Sequence, residues 1–156
     1  VDYDERLGVP LRWWVQGTML VASLWLAVVV AVPGPIAWVV TVVATGLLVL
    51  ALGSYGAARI RVADGELHAG RAHIAAAHLG PATALDAEAT RRTAGVEADA
   101  RAFLLLRPYL KRAVRVEIID PADPAPYWLV STRHPERLAE ALGGLRTRPN
   151  ETPPAG

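Results

Sequence analysis

The side chains able to do chemistry gather in four places, and each admits a plain reading beside a sharper one. His68, His73 and His78 follow one another at intervals of five. A metal ion needs donors that converge from one face, as two histidines four apart on a helix do. No such pair occurs, and an odd interval along a strand sends successive side chains to opposite faces. The spacing therefore predicts surface or rim histidines and no metal site. "DPADP", 120–124, puts Asp120 and Asp123 in one turn. It lacks the glycine and the later glutamate of a calcium loop. Aspartates beside prolines are expected to bond their own backbone as Asx turns.

"STRHPE", 131–136, sets Ser131 and Thr132 beside Arg133 and His134. A hydroxyl near an imidazole begins a nucleophile–base pair, but no acid is placed by spacing to orient the base. As residues entering a helix these four need no further explanation. Phosphate-cradling glycine loops of the G-x-G-x-x-G or G-x-x-x-x-G-K-[ST] kind are absent from the sequence. There is no cysteine, which removes thiolate nucleophiles, disulfides and cysteine-type zinc sites. No catalytic residue, metal or cofactor is assigned, and the chain is expected not to be an enzyme.

"RPYLKRAVR", 107–115, gathers Arg107, Lys111, Arg112 and Arg115 around one turn, with Tyr109 at its tip. A basic turn held near a membrane can touch anionic headgroups. It can equally be a solvated hairpin end whose like charge discourages edge pairing.

The elements that carry these residues are set by hydropathy. Hydrophobic residues make up 53% of the chain but are unevenly spread. From Trp13 to Ala58, 46 residues hold no Asp, Glu, Lys or Arg. A bilayer core of about 30 Å needs roughly 20 apolar residues in a helix, so this run is two passes or one very long helix. Pro33-Gly34-Pro35 decides for two. Each proline removes a backbone donor and disfavours helix in the residue before it, and glycine supplies turn freedom. The expectation is helices over 13–32 and 36–58 with a turn at 33–35. A secretory signal fits poorly, because acids crowd the N-terminus and a second full-length apolar segment follows.

Arg6 and Arg12 precede the first helix and Arg59 and Arg61 follow the second, while the turn between is uncharged. The positive-inside rule puts both flanks in the cytoplasm, so the expectation is an inner-membrane protein of two passes with cytoplasmic termini. Trp13, Trp14 and Tyr55 sit where amphipathic rings anchor at the headgroup layer. No charge lies inside the spans, so they read as an anchor and not a transport path.

After Ala58 the period changes. "RIRVADGELHAG" alternates around Asp64-Gly65, a hairpin signal, and Gly70-Arg71 marks a second turn before "AHIAAA". "ATALDAEATRRTAG" reads as a strand and then a short helix capped by Asp86 and stopped by Gly95. A buried strand is expected over 102–108, ended by Pro108. An alternating strand follows over 113–119, with Val114, Val116 and Ile118 inward, and a last strand over 127–132. "HPERLAEALGG" then reads as an amphipathic helix ended by Gly143-Gly144. The organisation is thus an N-terminal cytoplasmic segment over 1–12, a hairpin over 13–58, a cytoplasmic domain over 59–144 and a disordered tail over 145–156. The class is α+β. About seven strands and a terminal helix resemble a pleckstrin-homology-like bent antiparallel sheet, or partly open barrel.

The charge beyond Ala58 sums to only +2, which speaks against a general nucleic-acid binder. "YDERLGVPLRWW", the two helices, "RIRVADGELHAGRAHI", "LDAEATRR" and "RAFLLLRPYLKRAVRVEIIDPADPAPYWLVSTRHPERLAEAL" occur in that order over residues 3–144. Together they resemble the actinobacterial domain of unknown function 3093 family. The resemblance implies a small membrane protein with a two-helix anchor and a cytoplasmic domain, and implies no activity. The expected partners are the lipid bilayer and a membrane protein, with an anionic phospholipid as the alternative. The expected role is that of a membrane-held interaction or accessory module.

Overall fold

A computed structural model describes residues 2–32 and 34–147 of the chain. It divides into a helical unit, Gly8–Ala58, and a mixed unit built from the chain on either side of it.

The helical unit is two helices, α1 (Leu11–Ala31) and α2 (Pro35–Gly56). Pro35 starts α2, where its missing N–H costs no hydrogen bond. Gly34 carries the turn at φ 95°, a conformation costly for any other residue. Pro33 lies outside the described residues. At 21 and 22 residues the helices are each about 32 Å long. Both are long and apolar enough to cross a membrane, and only 0% and 6% of their apolar windows are buried. Neither is therefore the enclosed core helix of a soluble fold. Gly17 is the close contact: a Cβ there would meet a Leu48 methyl at 2.7 Å, whereas one on Gly46 would meet nothing. Trp13 and Tyr55 stack with ring centroids 6.5 Å apart, joining the start of α1 to the end of α2.

Among the described residues the mixed unit holds eight strands in two four-stranded sheets. The first sheet runs in the order β1-β2-β3-β4, from Tyr3–Arg6, Arg59–Ala63, Glu66–Ala69 and Ala72–Ala75. Asp64 and Gly65 both take positive φ in the β2–β3 loop, as a two-residue type I′ hairpin demands. The extra strand beyond the expected seven is β1. The segment before the helices is part of the sheet, paired antiparallel to β2 from Tyr3↔Val62 to Arg6↔Arg59.

The second sheet runs β5-β7-β8-β6, from Leu79–Leu85, Ala113–Ile118, Tyr127–Ser131 and Phe103–Leu105. A 3-10 turn, Ala76–His78, joins the sheets. A bulge interrupts β5 between Leu79 and Ala82, where Gly80 lies so close to Glu117 that a Cβ would fall 2.9 Å from the glutamate Cβ. The expected buried strand over 102–108 is only three residues long. It pairs with β8 alone, in parallel, so it is an edge and Leu104 is 41% exposed. The sheet is accordingly not wholly antiparallel, and among the described residues no barrel closes.

Every residue of β8 is buried. Val114, Val116, Trp128 and Val130 share one face; Ala113, Tyr127 and Leu129 lie on the other, packed against Leu85, Ala94, Ala102 and Leu106. The short helix α3 (Ala87–Ala94) sits there, capped by Asp86 Oδ1 accepting from the Ala89 N–H at 2.7 Å. The terminal helix α4 (Pro135–Thr147) packs on β5 and β7 through Leu138, Ala141 and Leu142. It runs past Gly143-Gly144, because neither glycine takes the positive φ that a glycine stop uses. Of the expected disordered tail, 145–147 are helical and the rest lies outside the described residues.

Candidate functional site

The most connected polar cluster of the mixed unit forms where β1 meets the entry to α4. Alternation along β1 turns Tyr3, Glu5 and Leu7 inward and Asp4 and Arg6 outward. Glu5 is only 9% exposed and lies opposite Ile60. A buried carboxylate has to be paired and hydrogen-bonded. The Tyr3 hydroxyl donates to its Oε2 at 2.5 Å, and the Thr132 hydroxyl donates to the same oxygen. The Arg133 N–H donates to Oε1 at 3.0 Å, and the Arg133 guanidinium stands 3.6 Å away. Thr132 Oγ1 also accepts from the His134 N–H at 3.1 Å. Glu5 thus supplies, from a strand far away in sequence, an anion at the start of a helix. Burial, and then the hydrogen bond to Glu5, push the Tyr3 hydroxyl up to about 12.

Beside this network lies an open cleft of about 660 Å³, lined by Tyr3, Glu5, Arg133, His134, Arg137 and Glu140 among others. Its walls carry both signs of charge in near balance, so it selects neither anions nor cations strongly. Ser131 and Thr132, weighed from sequence as nucleophiles, are 0% and 1% exposed. Ser131 Oγ accepts from the Arg107 N–H at 3.2 Å. The arrangement fastens β1 to the β8–α4 junction.

The four cations of the 107–115 segment are spread apart. Arg107 is half-buried beside Ser131. Arg112 donates to the Arg133 carbonyl at 2.7 Å and ion-pairs with Glu136 at 3.8 Å. Arg115 leaves the turn and lies over the Tyr127 ring, 4.3 Å from its centroid. Lys111 is exposed. The turn's aromatic, Tyr109, donates its hydroxyl to the Leu7 carbonyl at 2.6 Å. Asp120 and Asp123 form the expected Asx turns, accepting from the Ala122 and Ala125 N–H groups at 2.8 Å each.

The histidines correct the spacing argument. His68 and His73 are cross-strand partners with stacked rings 5.7 Å apart, because the two-residue turn at Gly70-Arg71 folds the chain between them. They share a face; strand parity holds only while the strand continues. His68 Nε2 is 3.3 Å from Glu66, while His78 stands apart, 3.6 Å from Asp120.

The outward face of the first sheet was not anticipated. Asp4, Arg61, His68 and His73 form one row across its four strands. In the next row Arg6 stands directly opposite Arg59, both exposed. Among the described residues no acid lies within ion-pairing distance of Arg6, Arg59 or Arg61. The alternation of "RIRV" shows Arg59 and Arg61 on one face, but neither it nor the alternation of "YDER" names the partner strand that builds the row.

In the helical unit Trp13 and Trp14 are half-buried, Tyr55 is 37% exposed, and Thr18 donates back to the Trp14 carbonyl at 2.8 Å. A family model described as "Protein of unknown function (DUF3093)" matches residues 2–142. No curated protein and no solved structure matches the chain.

Proposed function

Because the chain belongs to the DUF3093 family, a membership that assigns no activity, we propose from its architecture that it is a membrane-anchored, non-catalytic interaction module. One observation carries this reading. β1 and β2 are adjacent antiparallel strands of one sheet, and the chain between them is two membrane-length apolar helices. Strand pairing requires both ends of the hairpin to return to the same body. An even number of passes satisfies that, and the arginine flanks favour the cytoplasmic side. The strand order followed by a helix packed on β5 and β7 supports a pleckstrin-homology-like body. A non-catalytic role is supported by the burial of the Ser131 and Thr132 hydroxyls, the first bonded to the Arg107 N–H and the second to Glu5 and the His134 N–H. The partner is a membrane protein that docks on the body or the hairpin.

The absence of cysteine from the sequence makes the test direct. Single cysteines at Pro35 and at Val96, which is 97% exposed, are probed with a membrane-impermeant maleimide on intact cells. Labelling of Pro35→Cys alone supports the topology; labelling of Val96→Cys from outside overturns it. Crosslinking in native membranes followed by mild-detergent purification should then capture one dominant membrane protein. Recovery of the chain alone would remove the interaction reading.

A second reading, contact of the 107–112 turn with anionic lipid, is favoured by the Tyr109–Leu7 hydrogen bond. Leu7 precedes the start of α1 by four positions, a reach of at most about 14 Å. Replacing Lys111 and Arg112 with Glu should then weaken binding to anionic bilayers, and unchanged binding would exclude this turn.

A further inference from the structure

We infer that the cross-strand pair Arg6–Arg59 binds the phosphate of an anionic phospholipid headgroup, an inference that rests on the membrane reading above. Like charges placed directly opposite on a sheet repel and weaken the pairing. Here the repulsion falls on β1, a four-residue edge strand. Both side chains are exposed, and among the described residues neither has an acid to neutralise it. A phosphate between them converts the repulsion into two charge-assisted contacts, and guanidinium groups are shaped to hold phosphate oxygens in pairs.

The surroundings fit that ligand. Arg61 projects from the same face two residues along β2, adding a third guanidinium. Asp4, opposite Arg61, stands one row along from Arg6, and Asp2 and Glu140 line the same cleft as Arg6, but among the described residues none of them, nor Glu66 on β3, comes within ion-pairing distance of Arg6 or Arg59. The Arg6 carbonyl is held by the Arg133 guanidinium at 2.9 Å, which fixes the backbone while leaving the Arg6 side chain outward. The tether selects the source of the phosphate. Arg59 follows the last residue of α2 by three positions, a reach of about 10 Å, and strand register holds Arg6 beside it. That tether is short enough to let the pair reach a headgroup at the end of a membrane helix.

The test uses the full chain in nanodiscs of phosphatidylcholine with increasing phosphatidylglycerol, and counts retained lipids by native mass spectrometry. The wild type should enrich phosphatidylglycerol. Each cation near an anionic surface contributes about fivefold, so Arg6→Gln should weaken retention about fivefold and Arg6→Gln/Arg59→Gln roughly 25-fold. Arg91→Gln/Arg92→Gln on α3 should behave as wild type. Hydrogen exchange across β1 supplies a second readout: in pure phosphatidylcholine Arg6→Gln should slow exchange by relieving repulsion, and with phosphatidylglycerol present the advantage should pass to the wild type. A double variant that retains phosphatidylglycerol like the wild type overturns the inference, as does inorganic phosphate protecting β1 equally well in phosphatidylcholine alone. A wild type that alkaline carbonate strips from membranes overturns the membrane reading itself, and the inference with it.

Discussion

Replacing Glu5 with alanine removes the carboxylate on which the Tyr3 and Thr132 hydroxyls, the Arg133 N–H and the Arg133 guanidinium converge. Breaking one side of a fully buried ion pair costs about 3–5 kcal/mol, a ceiling here because the Arg133 side chain is 40% exposed, and each stranded buried donor costs about 1–3 kcal/mol. The structure moderates that sum. The Tyr3 and Thr132 hydroxyls stand 3.0 Å apart and can bond each other, and the Arg133 guanidinium keeps the Arg6 carbonyl. The Arg133 N–H alone loses its partner outright. The expected cost is therefore about 3 kcal/mol, the low end of the range. It should fall on β1, an edge strand of four residues held otherwise by its ladder to β2, the Arg133 bond to the Arg6 carbonyl and the burial of Leu7. Hydrogen exchange of the Tyr3–Arg6 amides and of their partners on β2 reads the effect. At about 1.4 kcal/mol per tenfold, exchange should quicken on the order of 100-fold in Glu5→Ala. Glu5→Gln keeps the shape and one acceptor but loses the charge, so about tenfold is expected. Acceleration below about fivefold in both variants would refute the idea that Glu5 is the lock on β1.

Other measurements probe neighbouring features. The Tyr3 pKa is raised in the folded chain, so the stabilisation its neutral hydroxyl provides is full below about pH 10 and is lost as pH rises through about 12. An absorbance titration at high pH should show a late-ionising step that Tyr3→Phe deletes; a titration curve whose late end is unchanged by Tyr3→Phe would refute it. Gly80→Ala forces a Cβ against Glu117 and should cost about 1–3 kcal/mol, seen as faster exchange along β5 and β7 with β3 and β4 unaffected. Asp86→Ala removes the cap of α3 and should cost about 1 kcal/mol, quickening exchange at Ala89 about fivefold.

Much of this architecture was legible from sequence because it is written locally. A run of 46 uncharged residues broken by Pro-Gly-Pro can hardly be anything but two helices, since helix length, proline geometry and the lack of charge are properties of the segment itself. The Asp64-Gly65 hairpin, the Asp86 cap and the apolar stripe of α4 were readable for the same reason: turn, cap and periodicity are short-range. Gly143-Gly144 shows where such signals fail, because glycine permits a stop without imposing one, and α4 continues to Thr147.

What the tertiary structure alone decided is who stands opposite whom. "YDER" looks like a charged flank until its partner strand arrives on the far side of the hairpin. Only then do Glu5 and Thr132, 127 positions apart, become neighbours, and only then does Arg6 face Arg59. His68 and His73 share a face because a turn, and not a strand, separates them. The isolated edge at Phe103–Leu105 reads as core from its composition and as rim from its single neighbour. Composition and spacing set what each segment can form, whereas pairing and burial depend on contacts between distant segments, which no local window contains.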